Sequence, residues 1–234
     1  GSYGTILAGY RLKDKLLAYQ RDYYKNVKAD IAKQPVKGYV FDTRGSRSVG
    51  YHFIENMGHH RINVYHLAKD FSVDGKTFKA DEAFIIPVDQ KNNTMIRAIM
   101  EDCLSYEDST FYDISWSFPY AFNLEFAQVK NTNGFIGKQV VEYRFVPGQM
   151  IGGKSDYGYL FTNVEFYTPK VMYELLRKGI HVQASNRPFH FRSGDIEKEM
   201  GYGTILVSAW NQPVSSDELY ELLSKLAKES GVDI

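Results

Sequence analysis

His52-Phe53-Ile54-Glu55 sets an imidazole and a carboxylate three residues apart, the H-x-x-E spacing with which some peptidases hold zinc. His181 and His190 follow 129 and 138 residues later, far enough downstream to supply a third ligand. The pair falls inside an expected helix, however, and Phe53, Ile54 and Met57 beside it have the spacing of a packing face. Packing is therefore the expectation. His59, His60 and His66 also cluster, but at a helix end and in the next strand, where partly cationic side chains suit exposed carbonyls. Gly45-Ser46-Arg47-Ser48-Val49-Gly50 follows a strand and opens a helix, the place for a phosphate loop or a nucleophile. It lacks G-x-G-x-x-G, G-x-x-x-x-G-K-[ST] and G-x-S-x-G, so Ser46 or Ser48 is expected to cap the helix. Cys103, the single cysteine, lies in helical sequence and not on a G-x-C-x-G elbow, which predicts a packing role.

The densest polar–aromatic run is Asp108-Ser109-Thr110-Phe111-Tyr112-Asp113-Ile114-Ser115-Trp116. It is expected beside the C-terminal ends of the strands, where α/β sheets take ligands. With residues at other strand ends it defines a candidate pocket: Asp42, Arg44, Gln90, Asp108, Ser109, Tyr112, Asp113 and Trp116. The alternative is that these side chains only cap and tether loops.

Several elements must position those residues. Residues 5–32 carry apolar residues near helical spacing and end at Pro35, predicting a connector helix over 1–36. Strands are expected at 38–42, 62–67, 71–73, 77–79 and 83–88, with Asp74-Gly75 turning a hairpin. Helices are expected after the first strand, to about His60, and over 92–106. The second half repeats the order, with strands at 157–161, 180–184 and 203–209. Its helices open at Thr168-Pro169 and at Ser215-x-x-Glu218, a capping box. Tyr39, Ile62 and Val88 match Tyr159, Ile180 and Trp210 at offsets of 120, 118 and 122 residues. A near-constant offset with the same element order predicts an internal duplication, units 37–106 and 157–234 of a single α/β domain, separated by an insert at 107–156. Strands alternating with helices predict a mostly parallel sheet covered on both faces.

The 234 residues hold 28 Lys+Arg and 28 Asp+Glu, a balance that argues against a nucleic-acid partner. No apolar run is long enough to span a bilayer. Both ends read as cut points of a larger protein.

Gly75-Lys76-Thr77-Phe78, Ile86-Pro87-Val88-Asp89-Gln90, Phe111 to Trp116, Tyr157 to Phe161, Leu175 to Val182, Gly203 to Val207 and Leu222-Leu223 through Asp233 form an ordered set. Together they resemble the region that follows the catalytic domain in large bacterial carboxypeptidase A-like zinc carboxypeptidases of the Bacteroidetes type. The resemblance covers essentially the whole chain. It implies a flavodoxin-like, class I glutamine amidotransferase-like fold without that family's Cys and His. It also implies an accessory, non-catalytic role supporting the catalytic domain of the same polypeptide or its peptide substrate. Zinc would belong to that other domain, with no cofactor in this one, and the location would be periplasmic or secreted. A peptide- or sugar-binding module is the alternative, and an independent amidotransferase-like hydrolase using Ser48 or Cys103 is the second.

Overall fold

The structure is a computed structural model and describes residues 1–102 and 117–234. The chain divides into two compact units that interleave in sequence. Unit 1 comprises Gly1–Asp42 and Met57–Val141; unit 2 comprises Thr43–Asn56 and Glu142–Ile234.

Unit 1 opens with α1 (Ser2–Lys33), of which only Ile31 is buried. Gln34 takes extended geometry because it precedes Pro35, whose ring disfavours a helical residue before it. Lys37 Nζ then donates to the carbonyls of Ile31 and Ala32, closing the helix end. Strand β1 (Gly38–Asp42) lies beside β5 (Ala83–Pro87), and both are buried along their whole length. Between them in sequence come α2 (Arg47–His59), β2 (Tyr65–Leu67) and the hairpin of β3 (Phe71–Val73) and β4 (Lys76–Phe78). Asp74 and Gly75 both have positive φ, as a tight two-residue hairpin turn requires. After β5 comes α3 (Asn93–Ile99), then α4 (Phe118–Ala121), β6 (Phe126–Val129) and β7 (Ile136–Gln139). The sheet runs β6-β1-β5-β2-β7. Val40, Leu67, Phe78, Ala83, Ile85, Ala127 and Val129 form a buried cluster in this unit.

Unit 2 contains β8 (Gly158–Phe161), α5 (Thr168–Arg177), β9 (Gln183–Ala184), the hairpin of β10 (Phe189–Ser193) and β11 (Ile196–Met200), β12 (Ile205–Ser208) and α6 (Ser216–Ser230). Its sheet runs β8-β12-β9. Burial alternates along β8 and β12, so Tyr159, Phe161, Ile205 and Val207 turn inward. They meet Val171 and Leu175 of α5 and Leu219, Leu223 and Leu226 of α6. Fully burying each such side chain contributes roughly 1.5–3 kcal/mol.

The expected mostly parallel sheet with helices on both faces, flavodoxin- or glutamine amidotransferase-like, does not form. Every strand pair among the described residues is antiparallel. The reason lies in the last strand of each set. β1 and β2 do run the same way, as a helical crossover demands. The hairpin after β2 reverses the chain, and β5 returns antiparallel into the space between them. β12 does the same between β8 and β9. Alternation of strands and helices therefore produces split β-α-β units and not a doubly wound sheet. The residues expected to be an irregular insert also supply β6 and β7, which pair with β1 and β2 at the two edges of the first sheet.

Each sheet carries the same clamp. Gln90 accepts from the Asn63 N–H at 2.7 Å and donates to the Asn63 and Pro87 carbonyls at 3.0 and 2.9 Å. Gln212 accepts from the His181 N–H at 2.8 Å and donates to the His181 and Ser208 carbonyls at 3.0 and 2.9 Å.

Candidate functional site

Unit 2 builds its densest polar cluster where the 43–46 turn enters α2. Ser46 caps that helix, its Oγ accepting from the Val49 N–H at 3.3 Å. The first turn of α2 leaves amides without helical partners, and Glu165 fills that place. Ser46 Oγ donates to Glu165 Oε2 at 2.6 Å, the Arg47 N–H to Oε1 at 3.0 Å and the Ser48 N–H to Oε2 at 3.4 Å. Only 12% of the Glu165 side chain is exposed, and the Arg47 guanidinium approaches it at 3.8 Å. Negative charge at a helix N-terminus is favoured by the helix dipole.

Arg47 continues the network. Its Nη2 donates to the Gly231 carbonyl at 3.0 Å and pairs with Asp233 Oδ1 at 2.8 Å. Ser48 Oγ donates to the Ser230 carbonyl at 3.2 Å. Gly231 has φ +76°, and a Cβ there would stand 2.9 Å from Ser48 Oγ, so the close approach needs glycine.

One turn further along α2, His52 Nδ1 lies 3.3 Å from Glu55 Oε2 and its Nε2 lies 2.6 Å from the Tyr167 hydroxyl. A carboxylate beside Nδ1 favours the proton on that nitrogen, leaving Nε2 to accept from Tyr167. Tyr51 also donates to Glu55, at 3.3 Å. That carboxylate's charge is the main reason the Tyr51 hydroxyl titrates above its ordinary value. Tyr143 is pushed the same way by burial, partly offset by its bond with Thr43 and by Arg47. The rings of Tyr51, Phe166 and Tyr167 pack against the histidine, and Tyr143 and Phe145 pack in turn against Tyr51. A carboxylate–imidazole–phenol chain can relay a proton. Phe166 is 59% exposed and Val164 65%, which makes this end of β8 apolar as well as polar.

The sequence-derived candidates are dispersed. Asp42 is buried at the end of β1 in unit 1, whereas the exposed Arg44 belongs to unit 2. Gln90 spends its amide on backbone groups. Asp108, Ser109, Tyr112, Asp113 and Trp116 lie outside the described residues, as does Cys103. His52 and Glu55 do meet, but His181 Nδ1 contacts the Asn211 carbonyl and His190 lies between two glutamates. His66 packs its ring against Phe84. Among the described residues no three His, Cys, Asp or Glu side chains are grouped to hold a metal ion. Thr168, expected to cap α5, sits inside the helix, and its hydroxyl donates to the Thr162 carbonyl.

Sequence reasoning missed Glu165, Arg47, Tyr167 and Asp233. The usable signal was the near-constant offset between the halves: Gly45 and Glu165 are 120 residues apart, each in the turn from a strand to a helix. No family model, curated protein or solved structure matches this chain. No helix among the described residues is long and apolar enough to cross a membrane.

Proposed function

We propose that the chain is an accessory, non-catalytic domain that supports or positions the catalytic domain of a secreted zinc carboxypeptidase, or that domain's peptide substrate. The ordered motifs from Gly75 to Asp233 support this reading; the parallel fold that the same motifs imply does not. The structural observation that carries it is the seat of Glu165. The turn into α2 is where an elbow nucleophile or a bound anion would sit, and a carboxylate of the same unit occupies its amides and the Ser46 hydroxyl. The turn thus acts as a joint that fastens the 163–167 loop and the 230–233 segment to α2.

The test mixes the purified chain with a carboxypeptidase A-like catalytic domain and follows binding by calorimetry. Hydrolysis of C-terminal peptide bonds and zinc content are measured on the chain alone. Saturable binding, with no hydrolysis by the chain and no stoichiometric zinc, is expected. Hydrolysis by the isolated chain, or one zinc per chain, overturns the reading.

A second reading is a peptide- or sugar-binding module. It is favoured by exposed Phe166 and Val164 beside the Glu55–His52–Tyr167 chain. Aromatic faces with a few fixed polar groups suit such ligands. A thermal shift with short peptides or oligosaccharides, lost in Phe166→Ala, would favour this reading over the first.

A further inference from the structure

His190 lies on β10 directly across from Glu199 of β11. Its Nδ1 is 2.7 Å from Glu199 Oε1 and its Nε2 is 2.7 Å from Glu197 Oε1. A neutral imidazole has one N–H and one bare lone pair. With carboxylates on both nitrogens, a neutral ring would press its lone pair against an oxygen lone pair. The arrangement is satisfied only when the trio holds one more proton than a neutral histidine and two carboxylates.

We propose that the β10–β11 hairpin is a proton-held element: His190, Glu197 and Glu199 bind one proton that lets the ring tie the two strands through both glutamates, and release it with one of those two cross-strand bonds as the medium turns alkaline.

Hydrogen bonds that the ring donates to Glu199 and then to Glu197 raise the His190 titration above its ordinary value of 6.5, with a further contribution from the Glu199 charge. On the same face Arg192 stands opposite Glu197 in the strand register, while Lys198 pairs with Phe191 on the other face and Asp195 sits in the turn. The sign follows from the raised value. The extra stability is fully present below 6.5 and is lost as pH rises through the higher, folded-state value. The trio is solvent-exposed, so the effect is local to the hairpin and screened by salt.

Unit 1 supplies an internal control. In the β3–β4 hairpin the cross-strand pair is Ser72 and Thr77, joined hydroxyl to hydroxyl at 3.1 Å, and neither titrates in this range.

The experiment is NMR on the full chain between pH 5 and 9. It follows the His190 ring shifts and the amide protection factors of both hairpins. His190 is expected to titrate above 6.5 and to fall toward that value in Glu199→Gln and Glu197→Gln. Protection in β10–β11 should drop by roughly two- to fivefold across the His190 transition, while β3–β4 stays level. A His190→Gln chain, which needs no fold-wide change, should show no such step. A His190 titration at or below 6.5 overturns the proposal, and so does a raised titration that leaves hairpin protection unchanged.

Discussion

Glu165 is the residue on which the polar architecture of unit 2 turns, because its carboxylate gathers a hydroxyl and two amides that have no helical partner. Glu165→Gln keeps the shape but turns one acceptor oxygen into a donor facing other donors. A nearly buried group left in conflict costs about 1–3 kcal/mol, so the urea midpoint should fall at unchanged m-value. Ser46→Ala removes both the cap and one Glu165 bond, and about 1–2 kcal/mol is expected in the same measurement. The two substitutions share a network, so their combined cost should be less than the sum of the separate costs. An additive pair would mean that Ser46 and Glu165 act apart.

At the scale of elements, the two glutamine clamps do equivalent work in two separate sheets. Each spends a whole side-chain amide on closing the end of a central strand against its neighbour. Gln90→Ala and Gln212→Ala are each expected to cost about 0.5–1.5 kcal/mol, because only the bonds to the Pro87 and Ser208 carbonyls are partly buried and water can replace the others. Hydrogen exchange should show the loss confined to β5 and β2 in the first case and to β12 and the 180–184 segment in the second. What was legible in the sequence follows the range of the interaction. The Asp74-Gly75 turn, the Ser215–Glu218 capping box and the break at Pro35 formed as read, because each is decided within a few residues. The insertion of β5 between β1 and β2 was not legible. Periodicity says that Ala83–Pro87 is buried, and a buried run is the same whether its neighbours are parallel or antiparallel. Glu165 was hidden for the same reason: an exposed-type residue in a loop becomes a helix cap only when a turn 118 residues away in sequence meets it.

For the whole molecule, α1 is the outlying element. A 32-residue helix is about 48 Å long, yet its anchoring to unit 1 is concentrated in its last third. Ile31 is buried there, and Tyr23 bonds Thr94 through its hydroxyl at 2.8 Å. Toward the other end, Tyr3, Ile6, Tyr10, Leu16 and Leu17 are all exposed. Tyr3, Tyr10, Leu17, Tyr24 and Ile31 recur every seven residues, a spacing that keeps side chains on one seam. Exposed apolar surface of that extent marks a contact face more often than a core. If α1 serves the proposed accessory role, removing residues 1–20 separates two properties. The melting temperature should hold within about 2 °C, since little buried area is lost and 1 kcal/mol is worth roughly 2–4 °C at this size. Affinity for a carboxypeptidase catalytic domain should fall at least about tenfold, equivalent to 1.4 kcal/mol. A truncated chain that melts early while binding as before would instead make α1 part of the structural core and remove it from the partner surface.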